Sequence, residues 1–313
     1  MNKSINSLYR KYRPTKFSDV VEQSHVVKTI ENQIKNNKLN HAYLFCGTRG
    51  TGKTTVAKIF ANAVAKLLDI FEIDAASNNS VDNVRDLIEK VKFPPIESSY
   101  KVYIIDEVHM FSGSAFNAFL KTLEEPPSHV IFILCTTEPH KLPQTIQSRV
   151  LRFDFRPVSL TSIEKHIEKI LKKENVEATK ESIKQIAKAG RGSVRDCLSI
   201  LEATLAYKSD KFDEQDVVQI LGTVSHEKLN ELGKAVIEKN INQTKKHLES
   251  IFTKGVNVNA LVRDFLYVLK EMYIESNNRD RIREVYKSVA EIELLIKYSQ
   301  DPVSMFESVC LLA

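Results

Sequence analysis

The sequence predicts an α/β domain built around a parallel sheet, followed by two regions that are wholly helical. In the first half, short apolar runs rich in β-branched and aromatic residues alternate with amphipathic stretches of helical length. This alternation is typical of a parallel sheet whose strands are joined by helices. Beyond Phe155 the strand-like runs stop, and apolar residues recur at helical spacing, as in Ile163, Ile167 and Ile170.

Four runs in the first half are predicted to be core strands of this sheet. They are residues 42–46, 70–73, 101–105 and 130–136. Ligands of open parallel sheets bind beyond the carboxyl ends of the strands. The residues that follow these runs are therefore the first candidates for chemistry.

The length of 313 residues is about twice that of a typical domain, so several packed units are expected. Pro157 predicts a first boundary, which assigns residues 1–155 to the α/β domain. Gly222 and the hydroxyl residues after it predict a second boundary. A small helical domain, 156–222, then precedes a helical bundle, 223–313. The apolar stripes predicted to form the bundle core are Val258, Leu261, Val262, Phe265, Leu266, Leu269, Val285, Val289, Ile292, Leu295 and Ile296.

The composition, 42% hydrophobic and 27% charged, indicates a globular protein rather than a disordered one. No apolar run approaches the roughly 18 residues of a membrane helix, and residues 1–4 lead into a polar stretch without a signal-like apolar segment. A cytoplasmic location without a membrane partner is therefore expected. The four cysteines are far apart, which argues against a zinc site and against a disulfide framework. The net charge of +5 permits a polyanionic partner.

A glycine-rich segment with the pattern of a phosphate-binding loop follows the first predicted strand. It reads Gly-Thr-Arg-Gly-Thr-Gly-Lys-Thr and opens an apolar helical stretch, as the pattern requires. Backbone N–H groups of such a loop face phosphate oxygens, the lysine adds a positive charge, and the last hydroxyl binds Mg²⁺. The residues predicted to bind nucleotide are Gly47, Thr48, Arg49, Gly50, Thr51, Gly52, Lys53, Thr54 and Thr55, with Thr54 also a ligand of Mg²⁺.

Polar side chains also end two other predicted strands. Asp106 and Glu107 follow residues 101–105, which suits Asp106 to Mg²⁺ and Glu107 to activation of an attacking water. Acidic pairs are also common at solvated strand ends, but the phosphate loop upstream favours hydrolysis over binding alone. Thr137 follows residues 130–136 and could reach the water or the γ-phosphate, or simply cap a turn.

Taken in order, these motifs resemble the gamma/tau subunits of the bacterial DNA polymerase III clamp loader, which are AAA+ ATPases. The likeness is dense from Tyr9 to Asp196 and weaker, as a helical collar, through residue 313. The fold that it implies is a P-loop AAA+ ATPase domain, a small helical lid domain and a helical collar domain. The motifs that carry the resemblance are residues 47–54, 74–79, 103–110, 120–127, 136–143 and 148–149.

The resemblance implies roles for individual residues. Asp106 and Glu107 correspond to the Walker B pair, and Thr137 to sensor 1. Arg149 corresponds to an arginine finger that acts in trans on a neighbouring subunit, and Arg195 to the sensor 2 arginine of the lid. A planar, permanently charged guanidinium suits the spread charge of phosphoryl transfer. The residues implied to lie over the adenine and ribose of ATP are Tyr9, Arg10, Arg13 and Pro14.

The sequence departs from the family pattern in two places. Family members usually carry a four-cysteine zinc module before the segment equivalent to residues 74–79, whereas residues 65–70 connect directly here. No zinc is expected. Val150 stands where the family has a cysteine after the finger arginine, which leaves the chemistry of Arg149 unchanged.

The leading functional hypothesis is a motor subunit that uses ATP to open a sliding clamp and load it onto primer–template DNA. Its implied partners are the delta and delta-prime subunits, further copies of itself, the clamp and DNA. One alternative is a clamp-loader subunit that binds ATP without hydrolysing it, and another is a DNA-acting AAA+ ATPase such as a branch-migration helicase. For DNA contact the best candidates are residues 77–79 with Arg85 and Lys90, against an ordinary solvated helix face.

Overall fold

The computed structural model describes residues 7–253, 256–275 and 279–312. Residues 1–4, which enter the expectation about location, lie outside these ranges. The described residues form two compact units. The first comprises the residues up to Asn175 together with Ile186–Glu202, and the second comprises Val176–Gln185 and the residues from Ala203 onward.

The first unit is built on a parallel sheet, as the sequence predicts. In the described residues this sheet has five strands in the order β2-β3-β4-β1-β5. The four predicted core strands are confirmed, with β2 and β3 each one residue longer than predicted. The strands are β1 Ala42–Cys46, β2 Ile70–Asp74, β3 Lys101–Asp106, β4 Val130–Thr136 and β5 Leu151–Asp154.

Three strands were not predicted. β5 is an edge strand of four residues, too short for a clear period of alternation. In the second unit, β6 (Glu177–Ala178) and β7 (Lys211–Phe212) form a parallel pair. The prediction that strands end at Phe155 is therefore wrong for this pair. Two residues cannot display the period of two that marks a strand in sequence.

Helices cover both faces of the sheet. Ser80, Ser112 and Ser159 cap helices by accepting a backbone N–H from the first turn, which satisfies a donor that the helix itself leaves unpaired. The helices up to Asn175 are α1 Leu8–Lys11, α2 Ser24–Lys35, α3 Lys53–Val64, α4 Val81–Val91, α5 Gly113–Glu124, α6 Gln144–Gln147 and α7 Leu160–Glu174.

Alternate side chains of the central strands enter two separate apolar layers. Leu44 and Phe132 pack with residues of α4 and α5, including Phe119. Phe45 packs on the other face with residues of α2 and α3, such as Phe60. Every residue of β1 and β4 is buried, because helices cover both faces. Because β1, β3 and β4 are parallel neighbours, their carboxyl ends lie at the same edge of the sheet.

The second unit is mainly helical. The predicted apolar stripes are buried in its core, with the exception of Leu295, whose exposed fraction is 56%. Leu295 is the last residue of its helix, and the buried position there is taken by Ile296, which begins the following 3₁₀ turn. α8 (Lys180–Ala189) and α9 (Val194–Tyr207) contribute residues to both units. The remaining helices are α10 Glu214–Leu221, α11 His226–Ile237, α12 Ile241–Phe252, α13 Val258–Glu275, α14 Arg279–Leu295 and α15 Pro302–Leu312. Over the described ranges, no helix is long and apolar enough to cross a membrane.

A buried carboxylate anchors the direct connection at residues 65–70. Asp69 is fully buried and accepts hydrogen bonds from the backbone N–H groups of Ile96, Glu97 and Ser98. Burial acts to raise the pKa of the Asp69 carboxyl, but these donors and the Ser98 hydroxyl outweigh it, and the pKa is lowered. The stabilisation is therefore present above the ordinary Asp pKa of about 3.9 and is lost as the pH falls through the lowered folded value.

We expect Asp69→Ala to reduce the free energy of unfolding of the first unit by about 2–4 kcal/mol at pH 7, because it leaves buried N–H groups unpaired. The difference from wild type should shrink at strongly acidic pH. Denaturant titration with a probe in the first unit measures both effects. Asp86→Ala, at an exposed position of α4, is the matched control, and an equal loss in both variants would contradict the assignment.

Candidate active site

The loop between β1 and α3 depends on glycine at two positions where another side chain would collide. Gly47 has φ +149°, and a Cβ atom there would lie 2.5 Å from the carbonyl oxygen of Phe155. Gly50 has φ +75°, and its Cβ would lie 1.9 Å from Ser193 Oγ. Gly52, at φ +103°, adopts a left-handed conformation immediately before α3 begins. The loop therefore passes close to the strand end and to α9.

Lys53 is the first residue of α3, and its side chain curls back into the loop. The ammonium donates to the carbonyl oxygens of Gly47 at 2.7 Å and Thr48 at 3.0 Å. Lys53 is 5% exposed, and burial lowers the pKa of its ammonium, although the Glu107 and Asp106 carboxylates oppose this shift. A buried positive charge thus lies inside the turn of the loop.

Thr54 and Asp106, far apart in sequence, are in direct contact. The Thr54 hydroxyl donates to Asp106 Oδ2 at 2.9 Å. Burial raises the pKa of the Asp106 carboxyl, and the Glu107 carboxylate adds to this shift, while the Thr54 hydrogen bond opposes it. A hydroxyl and a carboxylate side by side are oxygen ligands of the kind that Mg²⁺ prefers. This donor set therefore fits the predicted magnesium ion.

Glu107 follows Asp106 in a left-handed conformation, with φ +48°. Its Oε2 atom accepts hydrogen bonds from the backbone N–H of Thr137 at 3.1 Å and from the Thr137 hydroxyl at 3.0 Å. In this structure the Thr137 hydroxyl therefore binds the Glu107 carboxylate. The turn after β4 is bridged by Thr136 instead, whose hydroxyl accepts the N–H of Glu138 at 3.0 Å.

A cavity of about 640 Å³ lies beyond these strand ends. Lys53, Thr54, Asp106 and Glu107 line it, together with residues 49–52 of the loop. Gly47, Thr48 and Thr137 are not in its lining, but each is hydrogen-bonded to a residue that is. The carbonyl oxygens of Gly47 and Thr48 accept from Lys53, and the Thr137 hydroxyl donates to Glu107. The other predicted site residues in its lining are Tyr9, Arg10, Arg13, Pro14, Thr55 and Arg195.

The segment around α1 closes one side of this cavity. Arg13 Nε donates to Thr55 Oγ1 at 3.1 Å, which ties the segment to α3. Arg195 Cζ lies 4.8 Å from the centroid of the Tyr9 ring, a cation–π contact. Glu174, at the end of α7, accepts hydrogen bonds from the side chains of Lys11 and Tyr12. The predicted base-binding segment is thus held against α3, α7 and α9.

Arg149 is not among the residues that line this cavity. Its guanidinium pairs with Glu124 Oε1 at 2.7 Å and donates to the carbonyl oxygen of Thr145 at 2.7 Å. The side chain is 34% exposed. The structure therefore brings together all the predicted site residues except Arg149.

Three lining residues on the helices beyond the sheet were missed as site residues by the sequence analysis: His166 on α7, and Val194 and Leu198 on α9. Burial lowers the pKa of His166, and Lys169 and Lys173 act in the same direction. Both effects favour the neutral form of the imidazole. The sequence held one signal for this residue. His166 directly precedes Ile167 of the buried apolar stripe of α7, which places it at the border of the buried face.

Of the candidate DNA-contacting residues, 77–79 follow the carboxyl end of β2, whereas Arg85 and Lys90 lie along α4. The Lys90 carbonyl accepts a hydrogen bond from Lys101, the first residue of β3, so Lys90 is near the amino edge of the sheet. The Ser77 hydroxyl donates to Asp74 Oδ2 at 3.0 Å, a local hydrogen bond within the turn that follows β2. Arg85 pairs with Asp82 at 3.2 Å on the exposed face of α4, and Lys90 is exposed on the same helix. This placement leaves both of the alternatives for these residues open.

The four cysteines are buried and unpaired. Within the part of the chain that the structure describes, no group of three or more His, Cys, Asp or Glu side chains is arranged to hold a metal ion.

We expect Gly47→Ala to lower the free energy of unfolding of the first unit by about 2 kcal/mol or more, because the new Cβ would collide with a backbone oxygen at a left-handed position. Denaturant titration measures this loss. Gly113→Ala is the control, because Gly113 opens α5 with nothing within 4 Å of an added Cβ. Equal stabilities of the two variants would show that the loop tolerates a side chain.

Three family models, all from DNA polymerase III, match consecutive parts of the chain. The model of the delta subunit matches residues 22–70 and 65–159. The model of the clamp loader ATPase lid domain matches residues 162–210, and that of domain III of subunits gamma and tau matches residues 212–293.

Curated relatives show the same likeness. The tau subunit of DNA polymerase III from Bacillus subtilis (strain 168) is 43% identical over 293 residues, which are 87% of this chain and 52% of that protein. The tau subunit from Escherichia coli (strain K12) is 37% identical over 85% of this chain and 45% of that protein. The chain thus spans about half the length of these relatives. The shorter gamma subunit from Buchnera aphidicola subsp. Schizaphis graminum is 31% identical over 93% of this chain and 90% of that protein.

Among solved structures, the Holliday junction branch migration motor RuvB of Thermotoga maritima has a similar fold. It aligns with a TM-score of 0.57 at 18% sequence identity, over 82% of this chain and 90% of that chain. At this identity the likeness concerns the fold alone.

Proposed function

The chain belongs to the family of DNA polymerase III gamma and tau subunits, and from this membership we propose that it is the ATP-hydrolysing motor of a clamp loader. In this role it opens a ring-shaped sliding clamp and places it on primer–template DNA. One observation carries the hydrolytic part of the proposal. Lys53, the Thr54–Asp106 pair and Glu107 line a single cavity at the carboxyl ends of adjacent parallel strands.

The ligand proposed for this cavity is ATP with Mg²⁺. The backbone N–H groups of residues 47–52 and the Lys53 ammonium bind the phosphates, which is why glycine and a buried lysine occupy this turn. Thr54 and Asp106 hold the ion, which when bound neutralises charge that develops on the β- and γ-phosphates. Tyr9, Arg10, Arg13 and Pro14 cover the base and ribose. We expect no zinc.

Glu107 is proposed to activate the attacking water. Its carboxylate is one-third exposed and lines the cavity, and Thr137 holds one of its two oxygens. Thr137 thereby acts in the sensor 1 role by orienting Glu107. Arg195 is proposed as sensor 2, contacting the phosphates from α9 when the cation–π contact with Tyr9 opens.

Arg149 is proposed to serve the site of a neighbouring subunit. It pairs with Glu124 outside its own cavity, and a half-exposed ion pair of this kind contributes only about 0–1 kcal/mol. A triphosphate offers a guanidinium stronger, charge-assisted hydrogen bonds. The pair with Glu124 is therefore weak enough to be exchanged for a phosphate on assembly.

The other parts of the proposal follow from the family. The ATPase domain is residues 1–155, the lid is 156–222, and residues 223–313 form the collar through which subunits assemble. The proposed partners are the delta and delta-prime subunits, further copies of this chain, the sliding clamp and DNA, in the cytoplasm. Residues 77–79, with Arg85 and Lys90 on α4, are the proposed DNA contacts, because both α4 side chains are exposed and positively charged.

The two alternative functions are less well supported. A subunit that binds ATP without hydrolysing it has no use for Glu107, whose carboxylate is nevertheless oriented by two hydrogen bonds. A branch-migration motor is supported only by likeness of fold at 18% identity, whereas relatives at 31–43% identity are DNA polymerase III subunits.

We expect Glu107→Gln to lower kcat for ATP hydrolysis about 10²–10⁴-fold while ATP still binds, because general-base assistance is lost and the amide keeps the shape. Lys53→Ala should instead weaken ATP binding. Steady-state hydrolysis and equilibrium binding of a fluorescent ATP analogue separate the two effects. Glu72→Gln is the control, because Glu72 lines the same cavity but pairs with Lys58. Wild-type turnover by Glu107→Gln would refute the water-activating role.

We expect Arg149→Ala to bind ATP like wild type in the isolated chain, and to lower DNA-stimulated turnover only after assembly with partner subunits. Arginine fingers supplied in trans contribute about 10³–10⁵-fold, and we expect the lower end because several sites act together. Mixing variant and wild-type chains before measuring turnover tests the direction of action. Arg152→Ala, which breaks an exposed pair with Asp154, is the control. Equal losses in the isolated chain and the complex would show that Arg149 acts in cis.

A further inference from the structure

We propose that His109, backed by Glu138, is a positioning residue for Glu107. The inference rests on the proposed hydrolytic function and adds two side chains to that site. His109 belongs to the 3₁₀ turn Val108–Met110, which begins directly after Glu107. Its side chain is only 6% exposed, unlike the Glu107 side chain at 34%. A buried, hydrogen-bonding ring thus lies directly behind the residue that faces the cavity.

The ring of His109 connects the ends of two strands. Nδ1 lies 3.0 Å from Thr136 Oγ1 and 3.4 Å from Glu107 Oε2. Nε2 lies 3.1 Å from Glu138 Oε2. Thr136 and Glu138 belong to the end of β4 and the turn after it, whereas His109 follows β3. The imidazole therefore clamps the turn of Glu107 to the neighbouring strand.

The hydrogen atoms can be assigned so that the His109 ring forms hydrogen bonds with both Thr136 and Glu138. The Thr136 hydroxyl oxygen already accepts the N–H of Glu138, so its own hydrogen is free to be donated to Nδ1 of His109. With Nδ1 as the acceptor, the ring carries a hydrogen on Nε2 and donates it to the Glu138 carboxylate. Glu138 thus selects the ring tautomer and its orientation, as carboxylates do behind other functional histidines.

This clamp matters because the backbone of Glu107 is in an uncommon conformation. A non-glycine residue at φ +48° is disfavoured and persists only where its surroundings hold it. His109 lies two residues later and fixes the turn, while Thr137 holds the side chain. Within the described residues, the hydrogen bonds of the Glu107 side chain all use Oε2, which leaves Oε1 to accept a proton from water.

A second histidine provides a matched control. His140 Nε2 lies 3.9 Å from Glu138 Oε1, but its side chain is 73% exposed. It therefore approaches the same carboxylate from the solvent side. Lys141 also pairs with Glu138, at 2.9 Å, from an exposed position. Substitution of His140 changes the surroundings of Glu138 without touching the turn of Glu107.

The first test measures ATP binding and turnover of the full chain assembled with its partner subunits. His109→Ala should lower kcat about 10–100-fold and leave the Kd for ATP within about threefold, because Glu107 is displaced but the phosphate loop is not. His109→Gln should recover part of kcat, since its amide N–H can still reach Glu138. His140→Gln should match wild type.

Pairing the substitutions shows whether His109 and Glu138 act as one unit. Glu138→Gln should lower kcat by a smaller factor than His109→Ala, and the double variant should be no slower than His109→Ala alone. Independent, multiplying losses would overturn the proposal. If His109→Ala proves unfolded by its thermal transition, His109→Gln and Glu138→Gln provide the same comparison.

A second readout does not depend on hydrolysis. The amide proton of Thr137 donates to Glu107 Oε2, so its NMR resonance in the isolated chain reports where that carboxylate lies. In His109→Ala this resonance should move toward its position in Glu107→Ala, and in His140→Gln it should stay at the wild-type position. An unchanged Thr137 resonance in His109→Ala would overturn the proposal. An unchanged kcat in His109→Ala, measured where Glu107→Gln is inactive, would also overturn it. Full activity of Glu107→Gln would instead refute the proposed role of Glu107 in hydrolysis.

Discussion

The candidate active site depends on the parallel pairing of β3 and β1 on either side of β4. Cys46 is in register with Thr136, and Ile105 with Leu134, so these strands end at nearly the same level. The same edge of the sheet therefore carries the phosphate loop after β1, the acidic pair at the end of β3, and Thr136 and Thr137 at the end of β4. A shift of register by one residue would turn each side chain to the other face of the sheet, away from its partners.

Burial of these strand ends places opposite charges in one poorly solvated cluster. It lowers the pKa of Lys53 and raises that of Asp106, which are the two directions in which burial disfavours the charged form. The Glu107 and Asp106 carboxylates oppose the lowering of the Lys53 pKa. Lys53 opposes the raising of the Asp106 pKa, whereas Glu107 adds to it. A polyanion with a divalent cation would restore favourable partners to each, so the cluster is suited to phosphate chemistry rather than to stability alone.

Two contacts engage the arginines that are proposed to bind phosphate. Tyr9 engages Arg195, and Glu124 engages Arg149. Both arginines are permanently charged and neither pair is deeply buried, so the proposed exchange of either contact for a phosphate costs little. Glu107 differs, because two hydrogen bonds from Thr137 and the turn of His109 hold it in a fixed position.

The sequence by itself determined the four long strands, the phosphate loop and the acidic pair, because each is a local pattern of period, glycine conformation or strand end. Only the tertiary structure decided that Thr54 contacts Asp106, that Thr137 binds Glu107, and that Arg149 pairs with Glu124. It also added His166 to the cavity and the two-residue strand pair to the second unit. These features join residues that are distant in sequence, and strand register and helix packing bring them together. Register and packing belong to the whole fold, so no local period of the sequence records them.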